Sequence, residues 1–403
     1  MNRIRKLEVR RFRGLAAPVT LTFSERYNVV VGDTGAGKSN LLSLLAMTTR
    51  MDFEPLANES FDLAWEAVND AGDQLVGCVT REVPPCTRVF YRAASRPTSW
   101  RWSIRVAPLG RPAFVLEDEG DGRVPDPSAA AGSLSHRLFL ECARYAGSLA
   151  DDGTTRADEG LGCLRGLTAR RRTEDRSFPR FEPSVFVEAE RPPTAVGLGG
   201  VAELRGAWPC AAANGRHISL GGEDLPWLER VRQDLGAATV RLLPHRVDEH
   251  ASFQEGEWWI RYRGSDLAIT FRPGLSVRHD ALAYEQKRLL GLRWYLSTAP
   301  AAPAILDELS LGLPPAKVLA LLAELADRQS FLATRDPRLV DAVAWRSPEE
   351  VGLGVVACTR DAEHRWTWRQ LDTTEAARFY AASRAGDRPH RALRTEAWWG
   401  GAT

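Results

Sequence analysis

Gly32-Asp33-Thr34-Gly35-Ala36-Gly37-Lys38-Ser39 decides how this chain is read. The octet has the spacing Gly-x-x-x-x-Gly-Lys-Ser, and its neighbours give that spacing meaning. Tyr27-Asn28-Val29-Val30-Val31 before it predicts a short buried strand, and Asn40-Leu41-Leu42-Ser43-Leu44-Leu45 after it predicts the first turns of a helix. Strand, glycine-rich turn and helix are the setting in which these letters carry chemistry. The glycines let the backbone curl so that its N–H groups face a phosphate chain, and the helix N-terminus adds positive potential there. Lys38 is expected to reach the β- and γ-phosphates, and the Ser39 hydroxyl to bind Mg²⁺.

Working outward, the 403 residues leave room for two or three domains, or one elaborated domain. An apolar fraction of 44% supplies a sizeable core, and 26% charge is ordinary. The net charge of +1 does not by itself point to nucleic acid. Lysine occurs only at 6, 38, 287 and 317, so any local basic face would be built from arginine. Six cysteines without a Cys-x-x-Cys pair read as reduced thiols. The histidines are dispersed and predict no metal cluster, and no Ser/His/Asp arrangement is legible. No apolar stretch follows the basic residues near Met1, and none approaches the roughly 18 residues of a membrane span. These features predict a soluble, cytoplasmic chain with no membrane partner.

Ile4 to Val9 alternates apolar and charged residues and predicts a strand, as does Val19 to Phe23. Strands are also expected at Leu75–Val79 and Val89–Tyr91. Another runs through Trp100, Trp102, Ile104 and Val106, which share one face, and Pro84-Pro85 marks a turn. Together they form an antiparallel patch. Glu117 to Gly132 reads as a linker, Leu134 to Leu149 as a helix, Arg170-Arg171-Arg172 as solvated surface, and Gly197 to Gly222 as loop. Asp224 is placed to cap a helix through Leu235. Trp258–Arg263 and Leu267–Phe271 predict a hairpin around Gly264-Ser265.

From Asp280 onward the pattern turns α/β. Leu282, Leu289, Leu292 and Leu296 trace one helical face. Ala304-Ile305-Leu306 reads as a buried strand ending in Asp307-Glu308. Pro314-Pro315 opens a helix with Val318, Leu322 and Leu325 inward, and Ser330–Thr334 is the next strand. This is a βαβ unit, so its strands should be parallel. Asp336-Pro337 caps a further helix, and Arg388 to Thr403 reads as a tail. The acidic strand end answers the P-loop's chemical need. Asp307 at a strand tip beside the P-loop would hold Mg²⁺ through water, and Glu308 would position or deprotonate an attacking water.

One further segment, Leu282-Ala283-Tyr284-Glu285-Gln286-Lys287-Arg288, makes the order specific. P-loop, this segment, then the Asp-Glu strand resembles the ABC-type ATPase heads of the SMC/RecF superfamily. The look is nearest to the stand-alone RecF-like and OLD-like ATPases of prokaryotic defence systems. Phe12-Arg13-Gly14-Leu15 matches their N-terminal Phe-Arg-Gly-Leu. Leu282, Gln286, Lys287, Arg288, Leu289 and Leu290 match their signature, and Ala333-Thr334-Arg335 lies at their Ala-Thr-His switch. The likeness covers residues 1–50 and 265–345. It implies an α/β fold: a P-loop NTPase head of the ABC type with a parallel core sheet, an appended antiparallel β patch and an inserted helical lobe. The implied domains are an N-terminal ATPase lobe at 1–125, the mainly helical insert at 126–236, a C-terminal ATPase lobe at 237–387 and a tail at 388–403. The long interval between P-loop and signature is broken by Pro and Gly and carries no sustained heptads, so a compact lobe is expected there.

The resemblance implies ATP and Mg²⁺ as ligands and ATP hydrolysis as the activity. Gly32, Asp33, Thr34, Gly35, Ala36, Gly37, Lys38, Ser39, Asn40 and Arg13 would bind the nucleotide. Ser39 and Asp307 would hold the metal, and Glu308, Lys38 and Arg335 would be catalytic. Three positions depart from the pattern: Ala283 for the signature serine, Glu285 for its glycine, and Arg335 for the switch histidine. Arg335 either stabilises developing phosphate charge or pairs with a nearby acid. Hydrolysis is therefore expected to be slow or partner-activated. Three readings remain open. The first is a switch that dimerises around ATP and controls a separately encoded nuclease or toxin in anti-phage defence. The second is a RecF-like maintenance head with DNA as partner, and the third a scaffold that binds ATP without hydrolysing it.

Overall fold

The computed structural model describes residues 3–50, 59–68, 74–83, 99–107, 113–121, 184–188, 226–252, 257–278 and 303–392, with isolated positions at 53, 56, 72, 221–222 and between 281 and 296. The chain divides into two compact units, residues 1–171 with 301–403, and residues 172–300.

The first unit opens with β1 (Arg3–Phe12), β2 (Val19–Thr22), β3 (Tyr27–Val31) and α1 (Lys38–Arg50). Then come β4 (Phe61–Val68), β5 (Gln74–Glu82), β6 (Ser99–Ala107) and β7 (Phe114–Asp121). All of these strands but β3 form one antiparallel sheet in the order β2-β1-β4-β5-β6-β7. Alternation explains the one-sided burial: Phe61, Leu63, Trp65 and Ala67 of β4 face the core, and so do Trp102 and Ile104 of β6. The stretch from Glu117, expected as linker, begins instead as the end of β7, where Glu119 stands opposite Arg101 in the ladder. Ladder pairing outweighs acidic composition at that point. The expected strand at 89–91, the turn at 84–85, the helix at 134–149, the arginine run at 170–172 and the loop at 197–220 lie outside the described residues.

The second unit contains β8 (Ser184–Glu188), α2 (Pro226–Leu235), β9 (Thr239–Ser252), β10 (Glu257–Arg272) and β11 (Leu275–Arg278). Strand β10 pairs antiparallel with β9, and with β8 and β11 through different parts of its length. The expected hairpin at Gly264-Ser265 is not there. The strand runs straight through, and its register against β9 shifts between Tyr262 and Ser265. A glycine inside a strand marks such a bulge as readily as a turn. Helix α2 buries Trp227, Leu228 and Val231, and Arg293 Nε donates to Asp234 at 2.5 Å. Leu282, Leu289, Leu290 and Leu292 are buried.

The chain then re-enters the first unit through β12 (Ala304–Asp307), α3 (Pro315–Glu324), β13 (Ser330–Thr334), α4 (Pro337–Ala342) and α5 (Pro348–Gly354). It ends with β14 (Val355–Arg360), β15 (Trp366–Gln370), α6 (Thr373–Arg384) and α7 (Pro389–Ala392). A second sheet has the order β12-β13-β3-β14-β15; its first four strands are parallel, and β15 is antiparallel. The expected βαβ unit is present as β12-α3-β13. Every residue of β3 and of β13 is buried, which is why these strands read as unbroken runs rather than alternations. Asp336 caps α4 by accepting from Arg338 N at 2.9 Å. The expected tail at 388 is ordered at its start: α7 is a helical turn, and His390 binds Asp341 through its backbone N and its Nδ1.

One continuous core joins both sheets of this unit to α1. Leu41, Leu42, Leu44 and Leu45 of the helix pack in the same cluster as Leu7, Val9, Trp65 and Trp102 of the antiparallel sheet and Val30, Phe331 and Val356 of the parallel one. The buried leucines cover a broad face of α1, which suits packing against two sheets, while Ser39, Asn40 and Ser43 stay at least partly exposed on the other side. Buried Gln329 ties the sheets together, donating to the carbonyls of Ile4 and Ser24 and accepting from Ile4 N, each at 2.8 Å.

Candidate nucleotide-binding site

Parallel strands gather their C-terminal ends on one edge of a sheet, and crevices there take ligands. At that edge β3 leads into Gly32–Ser39, β12 ends at Asp307, β13 leads into Arg335, and β14 ends at Arg360. In the sheet β13 lies between β12 and β3, so Asp307 stands at the tip of the second strand from the P-loop strand, and Arg335 follows the strand between them.

Gly32 sits where no other residue fits. Its φ is +145°, and a Cβ there would lie 1.9 Å from the Cys358 carbonyl oxygen of β14. Lys38, the first residue of α1, is buried and turns back into the loop. Its Nζ donates to the carbonyls of Gly32 at 2.7 Å and Asp33 at 2.9 Å. Burial pushes the ammonium below the ordinary lysine value, and the Glu308 carboxylate works against that; Arg335 and Asp307 also act on it. Those three charges are thus within electrostatic reach of Lys38. Burial pushes the Cys358 thiol well up, so it stays protonated beneath the loop.

Arg335 joins the two halves of the site. Its Nε donates to Glu308 Oε1 at 3.0 Å, its backbone N donates to Glu308 Oε2 at 3.3 Å, and a terminal nitrogen donates to the Thr34 hydroxyl at 3.1 Å. Of the two readings left open by the sequence, pairing with an acid is what this geometry contains. The acid is Glu308 itself. Glu308 has φ +51° and Arg13 φ +41°, two of the three non-glycine residues with positive φ among the described residues. Left-handed backbone at a side chain of this kind is a strain that clusters at functional sites.

Arg13 and Asn40 also come together. The Arg13 guanidinium grips both Glu59 oxygens, at 2.6 and 2.8 Å, and donates to Asn40 Oδ1 at the start of α1. Ser39 is exposed at the same helix end, while Asp307 is partly buried at its strand tip. The donor set fits a magnesium nucleotide: an exposed hydroxyl and a carboxylate are hard oxygen ligands, and a glycine-lined turn with a buried ammonium suits phosphate. The sequence reading missed Thr34 as a partner of Arg335, Glu59 as the anchor of Arg13, and the whole β14–β15 hairpin. None of these carries a motif; each is set by strand register and packing.

No protein-family profile matches this chain, and no curated protein does. Among solved structures, 106 chains match. One is an Smc head bound to the C-terminal winged-helix domain of ScpA, at 12% identity and TM-score 0.39, covering 92% of this chain and 98% of that one. Another is the Smc head domain of Pyrococcus furiosus with an extended coiled coil, bound to the C-terminal domain of ScpA. It is 11% identical with TM-score 0.41, over 95% of this chain and 100% of that one. A third is the SMC head domain from Thermotoga maritima, 12% identical with TM-score 0.34, over 92% and 99%. Likeness at these scores is loose, and the residues at the sheet edge carry the functional reading. Among the described residues, no helix is long and apolar enough to cross a membrane.

Proposed function

We propose that this chain binds and hydrolyses ATP as an ABC-type switch, closing on ATP–Mg²⁺ as a head-to-head homodimer. The observation that carries the ATPase reading is Arg335, which bridges the P-loop hydroxyl of Thr34 and the carboxylate of Glu308. A phosphate-binding loop and a candidate base are thereby held in one hydrogen-bonded unit. In this account the N–H groups of residues 32–39 and the Lys38 ammonium take the phosphates, with Arg13 and Asn40 beside them. Ser39 and Asp307 hold Mg²⁺, which neutralises phosphate charge when bound. Glu308 orients the attacking water and takes its proton. The incoming γ-phosphate competes with Glu308 for the Arg335 guanidinium, so that nucleotide both recruits the cation and releases the base.

The dimer, and a role as sensor or scaffold for a separately encoded nuclease or toxin in anti-phage defence, rest on the resemblance carried by Phe12-Arg13-Gly14-Leu15, the P-loop and the segment from Leu282. Solution mass with and without ATP tests the dimer. Glu308→Gln protein incubated with ATP–Mg²⁺ is expected to double in mass by light scattering, and an unchanged mass removes the switch. ATP-dependent duplex DNA binding that falls steeply with salt would favour a maintenance head instead.

A further inference from the structure

The β14–β15 hairpin runs along the back of the P-loop, and its register puts four side chains on one face. Arg360 stands opposite Trp366, and Cys358 opposite Trp368. Cys358 meets Gly32, and Trp366 with Trp368 meets Gly37, where an added Cβ would come within 2.9 Å of Trp366 Cγ and 3.0 Å of Trp368 Nε1. Between them lies Gly35, whose carbonyl accepts three hydrogen bonds. Arg360 gives two, from Nε at 3.0 Å and a terminal nitrogen at 2.9 Å, and Trp366 Nε1 gives one at 3.0 Å.

That peptide needs holding. Gly35 is exposed at the crest of the loop with φ +78° and no side chain, so the plane between Gly35 and Ala36 has little restraint of its own. An anion site made of backbone N–H groups works only while carbonyl oxygens are turned elsewhere, because a flipped peptide would present its negative end to the phosphate. Two cations do the turning. Lys38 takes the carbonyls of Gly32 and Asp33, and Arg360 takes that of Gly35. The Ala36 N–H closes the other side of the plane on Asp33 O at 3.2 Å.

The hairpin is built to hold still. The Asp361 carboxylate accepts from the backbone N of Glu363 and of Arg365 and from the Arg365 side chain, which staples the tip. Trp366 and Trp368 stack with centroids 6.4 Å apart and planes at 9°. The backbone of Trp366 also bonds Gly14 O and Ala16 N, so the same strand anchors the segment that carries Arg13.

We propose that Arg360 and Trp366 are positioning residues for nucleotide: they fix the Gly35–Ala36 peptide so that the loop keeps its phosphate-receiving form. The inference rests on the ATP reading above. The phosphate group recognised is the one ATP and ADP share, so both nucleotides should respond alike. Arg360→Ala is expected to weaken ATP and ADP in Mg²⁺ by about tenfold or more, the scale of one charge-assisted hydrogen bond. Its kcat at saturating ATP should stay within about twofold, since it acts on binding in ground and transition state equally. Arg360→Lys should recover part of the affinity. Trp366→Phe keeps the stacked ring and removes one donor, so it decides the matter if Arg360→Ala does not fold; a loss of about threefold is expected.

Isothermal titration with ATP and ADP, together with steady-state phosphate release, reads all of this. Unchanged affinities in folded Arg360→Ala and Trp366→Phe overturn the inference alone while unaltered protein still binds ATP. A fall in kcat with unchanged affinity overturns it too, because Arg360 would then act on the chemistry. If the unaltered protein binds neither nucleotide, the ATP reading fails and takes this inference with it.

Discussion

Replacing Arg335 with alanine separates its two uses. In the structure the guanidinium lies 3.0 Å from Glu308, with side-chain exposures of 51% and 21%. Two unit charges at that distance attract by about 1.4 kcal/mol in bulk water and about 5.5 kcal/mol at an effective dielectric of 20. Half the arginine is in water, so the lower figure governs. After the entropy of holding a long side chain is subtracted, about 1 kcal/mol or less remains. Loss of the pair should therefore barely move the urea midpoint. Catalysis should respond far more. Arginines that meet the charge developing on a transferring phosphoryl group are worth about 10³–10⁵ in rate. Arg335 is half exposed, so a loss near 10²–10³ is expected, or about 3–4 kcal/mol of barrier. The assay is phosphate release at saturating ATP, with nucleotide affinity measured separately. Affinity should change only severalfold, and Arg335→Lys should recover part of the rate. A kcat that is unchanged or raised in Arg335→Ala would refute the reasoning, and Arg335 would then be only a restraint on Glu308.

Gly32→Ala should cost about 2–4 kcal/mol in urea unfolding and abolish ATP binding, because its Cβ would fall 1.9 Å from the Cys358 carbonyl oxygen; wild-type stability would contradict the packing described. The Arg369–Glu375 pair predicts a pH effect. The hydrogen bond from Arg369 holds the Glu375 carboxyl below its ordinary value, so its contribution is present above about pH 4.5 and is lost as pH falls through the lower folded value. Arg369→Ala should lower stability at pH 7 by about 0.5–1 kcal/mol and flatten the acid limb below about pH 4.5; parallel pH curves for the two proteins would rule this out.

The parts of this molecule legible in the sequence are those where one segment holds its own instructions. Gly32–Ser39 states its chemistry in eight consecutive letters, and β3, β12 and β13 each hold a short apolar run (Val29–Val31, Ala304–Leu306 and Phe331–Ala333) because both faces of a parallel sheet are covered. The βαβ unit follows from Ala304, Pro315 and Ser330 in order. Pairing between distant segments is what the letters conceal. Nothing in Arg360 or Trp366 marks them as neighbours of Gly35, since only the β14–β15 register and the β14–β3 pairing bring them there. Gly264 reads equally as turn or bulge until β9 is seen running past it. Glu117-Asp118-Glu119 looks like linker by composition, and only β6 alongside makes it a strand. The bidentate hold of Glu59 on Arg13 spans 46 residues of sequence and leaves no local trace.

Single-turnover phosphate release, with bound ATP followed in parallel, tests the central claim most directly. The account predicts that unaltered protein with Mg²⁺ binds ATP and releases phosphate, and that Glu308→Gln binds ATP equally well while releasing phosphate at least about a hundredfold more slowly. Equal release rates from the two proteins would contradict it.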